Sequence, residues 1–311
     1  MKLACPLMSL FLLSGFAAEK KEEPKLQPKI KLEKSQLRAK TFDVNDFIKK
    51  TGSLVPKLKE DSFTGTQGDL SYRFFEPKDL MKGKKVPLVI FLHGFGDQNS
   101  NHEWVQLRHP QCLVFVDPDN QKKTPCFFLA PRLNNSYPYW GGAKVSYPEG
   151  LPQLPVYRQS EPTAPQQTLA ELIIDKMKKH PEIDPERIYL TGLSSGGAGC
   201  FAMVENFPHH FAAIMPICCG SEKTLDLCQT RQKIGIWAFY NKNEEEESRR
   251  CCGLLCDRYK AWGGDVSLST FEDSGVGGHS AWNWAFAEPK LIPWMFSQKR
   301  AKAPVGTKLL W

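Results

Sequence analysis

The chain has 311 residues, of which 41% are hydrophobic, 24% charged and 11% aromatic. This composition suffices for one large domain and excludes disorder over most of the length. The formal net charge of +7 is uneven, because residues 19–60 hold 12 Lys/Arg against 7 Asp/Glu. The remaining body is close to neutral, so no nucleic-acid partner is expected.

The first 18 residues have the pattern of a secretory signal peptide. A positive start at Met1 and Lys2 precedes an apolar run over residues 3–16, and small residues follow at Ala17 and Ala18. The alternative is an uncleaved anchor, but the run is shorter than the roughly 20 apolar residues that span a bilayer. We therefore expect a secreted or periplasmic protein without a stable membrane span.

Residues 19–61 have the composition of a charged linker, with many Lys and Glu, several Pro and weak periodicity. A short helix is expected near residues 44–50. The alternative for this basic stretch is a tether that contacts anionic polymers or lipid head groups. The sequence predicts one domain at residues 62–300 and a C-terminal tail at residues 301–311.

From residue 62 onward, short apolar runs alternate with segments of helical periodicity. Buried parallel strands have continuous apolar runs, and VPLVIFL at residues 86–92 is the clearest example. Such alternation predicts an α/β fold with a mostly parallel sheet and helices on both faces. The predicted strands are residues 70–75, 86–92, 126–130, 187–191, 211–218, 234–240 and 266–271, and the predicted helices are residues 167–179, 197–206, 245–262 and 289–298.

Residues 132–166 fit neither pattern and are rich in Pro, Tyr and Asn. A long irregular loop in a compact domain is usually functional. We expect it over the carboxyl ends of the strands, where open α/β sheets bind ligands. Trp140, within this loop, is a candidate substrate contact.

The cysteines permit disulfides but indicate no pairing. Ten are present, and loss of Cys5 with a signal peptide leaves nine, so at least one thiol stays free or pairs with another chain. Cys252 and Cys256 could share a helix face, but no His accompanies them, and we interpret them as packing or disulfide residues. No metal or other cofactor is expected.

The central motif is GLSSGG at residues 192–197, between the predicted strand RIYLT and a predicted helix. In this context G-x-S-x-G forms a nucleophile elbow, whose glycines allow a sharp turn that exposes the serine hydroxyl. The N-terminus of the following helix favours developing negative charge. Ser194 is the predicted nucleophile. The alternatives are the neighbouring Ser195 and a turn without chemistry.

Two other segments supply the partners that such a serine needs. LHGFGD at residues 92–97 follows a strand, so the backbone N–H groups of Phe95 and Ser195 are the predicted oxyanion hole, and His93 is interpreted as structural. GGH at residues 277–279 lies between the last predicted strand and the closing helix. His279 is therefore the predicted general base.

The acid that orients His279 has two candidates. Glu244 is the first acid after the strand at residues 234–240, and Glu222 follows the preceding strand. A run of Glu at the start of a helix is also typical of a solvated cap that matches the helix dipole. Glu244 is the preferred candidate.

Three segments, RIYLTGLSSGGAG, FLHGFGD and GGDVSLSTFEDSGVGGHSAWNWAF, resemble bacterial esterases related to polyhydroxybutyrate depolymerases and feruloyl esterases (carbohydrate esterase family 1-like). FLHGFGD is also similar to the phospholipase/carboxylesterase branch. The resemblance covers about residues 65–299 and implies an α/β-hydrolase fold. The family motif HGxxD corresponds to YNKNE at residues 240–244, so position assigns the acid role to Glu244. Trp282 matches a family tryptophan that lines the site, and core packing is its alternative.

These residues predict a secreted serine esterase that forms an acyl-enzyme on Ser194, with small-molecule or polysaccharide-linked esters as substrates. One alternative is a prolyl-oligopeptidase-like peptidase, although no propeller-like repeat is visible. The other is a non-catalytic binding protein on a hydrolase scaffold, which the altered acid segment suggests. Labelling of Ser194 by a fluorophosphonate would distinguish an enzyme from a binding protein.

Overall fold

The computed structural model describes residues 42–97, 105–134, 139–140, 144–145, 156–157, 161–219, 233–244, 253, 256–257, 259–261, 263–271 and 278–311. Among these residues, no helix combines the length and apolar character needed to cross a bilayer. The predicted signal peptide and the candidate acid Glu222 lie outside the described residues.

Within the described residues, ten strands form one large sheet and one small hairpin. They are β1 (Lys59–Gly65), β2 (Gly68–Phe75), β3 (Val86–Leu92), β4 (Phe127–Arg132), β5 (Lys144–Val145), β6 (Val156–Tyr157), β7 (Ile183–Leu193), β8 (Ala213–Ile217), β9 (Gly235–Asn241) and β10 (Val266–Phe271). The large sheet has the order β1-β2-β4-β3-β7-β8-β9-β10, and β5 pairs with β6. β1 and β2 are antiparallel to their neighbours. The other six strands of the large sheet, β4, β3, β7, β8, β9 and β10, run parallel to one another.

The helices whose bounds lie within the described residues are α1 (Val44–Gly52), α2 (Pro118–Lys123), α3 (Ala164–Lys179), α4 (Ser195–Asn206), α5 (Trp282–Ala285) and α6 (Leu291–Ser297). The start of α3 is fixed by a capping box, in which Thr163 Oγ1 accepts from Gln166 N and Gln166 Oε1 accepts from Thr163 N. Pro165 in its first turn needs no hydrogen bond there.

The core consists of two layers, one on each face of the sheet. All seven residues of β3 are buried, and they alternate between the two layers, with Leu88 and Ile90 on one side and Val89 and Phe91 on the other. Residues of α3 and α4 complete the first layer, and residues of α5 and α6 complete the second. The prediction of an α/β fold with a mostly parallel sheet and helices on both faces is confirmed.

The predicted domain boundaries were drawn too narrowly. Residues 42–61 contain α1, a short 3-10 helix at Val55–Lys57 and the start of β1, and Val55 is fully buried in the second layer. The expected short helix is present as α1, but it packs on the domain. Residues 301–311 also return to the body, where the ring of Trp311 meets that of His210 at 4.4 Å.

Most predicted elements are present, but β2, β4 and β7 are longer than predicted and β8 is shorter. β3 and β10 have the predicted bounds, while β7 begins four residues early because Pro185 is accommodated within it. The predicted closing helix at 289–298 is present as α6, whereas β1, the hairpin β5–β6, α2 and α5 were not predicted. Of the predicted helix at residues 245–262, the described residues 253, 256–257 and 259–261 are helical.

Cys112, Cys126, Cys200 and Cys218 are buried free thiols. Cys256 is also buried, which agrees with a packing role, and Cys252 lies outside the described residues.

Candidate active site

Ser194 occupies a strained turn between β7 and α4. Its backbone has φ 53° and ψ −119°, in the positive-φ region that residues with a side chain rarely adopt. The Ser194 N–H donates to Ile217 O at 2.8 Å, which ties the turn to the end of β8. A Cβ on Gly196 would collide with the carbonyl oxygens of Leu92 and His93, so only glycine fits where α4 begins against β3.

The loop after β3 lies against this elbow. A Cβ on Gly94 would come 2.8 Å from Leu193 Cδ1, and the Gly94 N–H donates to Asp97 Oδ2 at 3.0 Å. Burial raises the pKa of Asp97 to about 6, against the opposing influence of the Gly94 N–H and Arg108. The hydrogen bond from the Gly94 N–H to the Asp97 carboxylate closes the loop that carries Phe95.

The two predicted oxyanion residues flank the turn. Ser195 is the first residue of α4 and is buried, and its Oγ makes no hydrogen bond within the described part of the chain. Phe95 is 54% exposed, and its ring stacks on that of Tyr139 at 4.7 Å. The Phe95 side chain is thus an exposed aromatic surface, while the predicted role belongs to its backbone N–H.

His93 joins the ends of two strands. Its Nε2 accepts from Leu133 N at 3.0 Å, which leaves Nδ1 as the protonated nitrogen that donates to Gly94 O at 2.8 Å. Complete burial lowers the pKa of His93 to about 4. Both ring nitrogens are used within the fold, in agreement with the structural interpretation.

His279 and Glu244 form a hydrogen-bonded pair between neighbouring loops. His279 Nδ1 lies 2.8 Å from Glu244 Oε1, and because a carboxylate accepts, Nδ1 carries the proton. The imidazole is half exposed, whereas the Glu244 side chain is 1% exposed. Asn241 Nδ2 donates to Gly278 O and to Ser280 Oγ, both at 3.0 Å, and so fixes the loop on either side of His279.

Cys218 adjoins this pair, although the sequence analysis gave it no role. Within the described residues, Cys218, Glu244 and His279 are the group whose donor atoms, all within 4.8 Å of one another, could hold a metal ion. Two of these donors are already joined by the His279–Glu244 hydrogen bond. Burial, together with the charge of and the contact with Glu244, raises the pKa of the Cys218 thiol well above its usual value.

The two predicted substrate-contacting tryptophans differ in the residues that they contact. Trp282 lies edge-on to the His279 ring at 5.4 Å and contacts His109 at 4.9 Å, so it borders the candidate base. Trp140 is fully buried, and its backbone oxygen accepts from Gln166 Nε2 at 2.6 Å. A direct substrate contact by Trp140 is therefore wrong for this structure, because its side chain packs against Gly199 of α4 in the core.

Phe95, Ser194, Cys218 and Glu244 lie at the same edge of the sheet. The loop with Phe95 follows β3, Ser194 follows β7, Cys218 follows β8 and Glu244 follows β9, so each comes directly after the carboxyl end of a parallel strand. Ligands bind at this edge in open α/β sheets. Cys218 and Asn241 were not predicted, and only their position at the carboxyl ends of β8 and β9 could have indicated them.

Comparisons with known proteins agree with the fold and with the esterase resemblance. No model of a known protein family matches the sequence. A stretch of 134 residues, 43% of the chain, is 29% identical to poly(3-hydroxyalkanoate) depolymerase C of Paucimonas lemoignei. A solved thermostable esterase is similar at TM-score 0.65 and 28% identity, over 80% of this chain and 64% of that chain.

The chain has the α/β-hydrolase fold. A ferulic acid esterase shares this hydrolase fold at TM-score 0.54 and 15% identity, over 78% of this chain and 98% of that chain. The expected resemblance to depolymerases and feruloyl esterases is thereby confirmed. The chain spans about a quarter, 26%, of the depolymerase.

Proposed function

We propose that this protein is a serine hydrolase of carboxylic esters and that Ser194 carries the acyl group. The observation that supports it most is the His279–Glu244 pair at 2.8 Å, on the sheet edge where the strained elbow holds Ser194. The names of the similar proteins, a depolymerase and two esterases, favour ester hydrolysis over other hydrolase reactions.

In the proposed reaction, His279 acts through Nε2, because Nδ1 donates to Glu244. Nε2 takes the proton of Ser194 as its Oγ attacks the ester carbonyl, and the imidazolium that forms is stabilised by the buried carboxylate. The same nitrogen then protonates the leaving alcohol. A water molecule, deprotonated in turn by His279, releases the acid and restores Ser194.

The oxyanion of each tetrahedral intermediate needs donors that are fixed before the reaction. We assign the backbone N–H groups of Phe95 and Ser195 to this role. Asp97 keeps the loop with Phe95 closed, and Ser195 stands at the N-terminus of α4, where the helix dipole favours negative charge.

The substrate and the location are further parts of the proposal. The exposed ring of Phe95, stacked on Tyr139, and the indole of Trp282 would contact the acyl or alcohol group of a small-molecule or polysaccharide-linked ester. We propose export to the periplasm or the medium from the pattern of residues 1–18.

Hydrolysis of p-nitrophenyl acetate and butyrate tests the proposal. We expect turnover by the wild type, a loss of about 10⁴-fold or more in Ser194→Ala, and labelling of Ser194 by a fluorophosphonate. Ser195→Ala is the matched control, because its backbone N–H remains, and it should keep most of the activity. Absence of both turnover and labelling in the wild type would favour a binding protein.

A further inference from the structure

Cys218 has an unusual backbone conformation at the end of β8. Its φ is 48°, a left-handed value that favours glycine. The Cys218 N–H donates to Phe239 O at 2.9 Å, and Cys218 Sγ accepts from Ala281 N at 3.2 Å. A strained residue that is held from two sides indicates that its side-chain direction matters to the site.

Cys218 adjoins the segments that carry the candidate catalytic groups. Ile217, one residue before it, accepts the Ser194 N–H, and Ala281 comes two residues after His279. The sulfur also lies within 4.8 Å of a carboxylate oxygen of Glu244 and a ring nitrogen of His279. One side chain therefore contacts the loops of both the acid and the base.

The Glu244 carboxylate has an acceptor that the described residues leave unused. Oε1 accepts from His279 Nδ1, while Oε2 is buried and makes no hydrogen bond within the described ranges. A buried carboxylate oxygen without a donor is costly and leaves the group able to rotate. The Cys218 thiol adjoins this carboxylate and can donate, since the raised pKa keeps its proton in place.

We propose that Cys218 is a positioning residue for the Glu244–His279 pair, with its S–H donating to Glu244 Oε2 and its Sγ accepting the Ala281 N–H. The inference rests on the proposed function, because it concerns the orientation of the base. The thiol fixes the carboxylate and the loop after His279 together, so that Oε1 stays aligned with Nδ1.

Three substitutions of Cys218 distinguish the effect of the thiol's hydrogen bonds on kcat from the effect of the strained backbone. Cys218→Ser keeps a donor and an acceptor, Cys218→Ala removes both, and Cys218→Gly removes both while relieving the positive φ. We expect kcat to fall about tenfold with KM unchanged in Cys218→Ala and Cys218→Gly, and to stay within about threefold of the wild type in Cys218→Ser. Cys126→Ala, which removes a buried thiol before β4 at the opposite edge, is the control and should keep the wild-type kcat.

A second measurement does not depend on turnover. The His279 Nδ1–H, held by a buried carboxylate, should give a low-field proton resonance in the wild type and in Cys218→Ser. This resonance should broaden or disappear in Cys218→Gly, whose fold is checked by thermal unfolding. Retention of both kcat and the resonance in Cys218→Gly, or equal losses in Cys218→Ser and Cys218→Gly, would overturn the proposal. Failure of the wild type to hydrolyse any ester, with the resonance still dependent on Cys218, would instead count against the proposed function alone.

Discussion

At the scale of single residues, the candidate site is shaped by backbone positions as much as by side chains. Ser194 is strained, and Gly196 lies so close to the carbonyls of Leu92 and His93 that no Cβ fits. The reactive hydroxyl thus stands on a turn whose geometry is fixed by close contact between α4 and β3.

Gly196→Ala should therefore destabilise the protein by several kcal/mol and abolish ester hydrolysis, because the helix must move away from β3 to admit the methyl group. The free energy of unfolding in urea and the p-nitrophenyl acetate rate measure the two effects. Gly253→Ala is the control, since a Cβ there meets open space, and it should change the free energy of unfolding by less than about 1 kcal/mol. Equal effects of the two substitutions would contradict the close contact.

The candidate triad could be predicted from the sequence because each member follows a recognisable strand. Ser194, Glu244 and His279 are the residues expected, and the structure joins the last two by a hydrogen bond. The roles of all three stay predictions until activity is measured. The burial of Trp140 could not be predicted, since it depends on Gly199 leaving room for the indole beside α4, which is a tertiary contact.

At the scale of elements, the strands with an apolar pattern were predictable, and the exposed edge strand β1 was not. β3 reads as an unbroken apolar run and was predicted with its observed bounds. β1 has the sequence KEDSFTG and is mostly exposed, so it shows no apolar pattern. Its pairing with β2 is what makes it a strand.

The segment before β1 should contribute to stability, although its charge resembles that of a linker. Val55→Ala removes two methyl groups from a fully buried site and should lower the free energy of unfolding by about 2 kcal/mol. Urea denaturation provides the measurement. Val305→Ala, at a fully exposed position, should have no measurable effect. If residues 42–58 did not pack on the domain, the two variants would be indistinguishable.

At the scale of the whole molecule, buried titratable groups make stability depend on pH in opposing directions. The pKa of His93, lowered to about 4 by burial, means that its contribution is complete above pH 6.5 and is lost as the pH falls through 4. The pKa of Asp97, raised to about 6 by burial, has the opposite effect, because its contribution is complete below pH 3.8 and is lost as the pH rises through 6. Each shift corresponds to a free energy on the order of 3 kcal/mol.

Asp97→Asn should therefore be more sensitive to acid than the wild type. The amide still accepts the Gly94 N–H but cannot take up a proton, so the compensation for His93 is lost. Between pH 7 and pH 4, the free energy of unfolding should fall by about 3 kcal/mol more in the variant. Urea midpoints at both pH values test this expectation, and parallel pH dependences would refute it.

The buried thiols of Cys112, Cys126 and Cys200 have a consequence for how the protein responds to oxidants and alkylating reagents. Burial raises the pKa of each, so none is present as a reactive thiolate while the domain is folded. An oxidant or alkylating reagent reaches them only during opening of the sheet. Modification of any of these three thiols therefore reports that the domain has opened at least once.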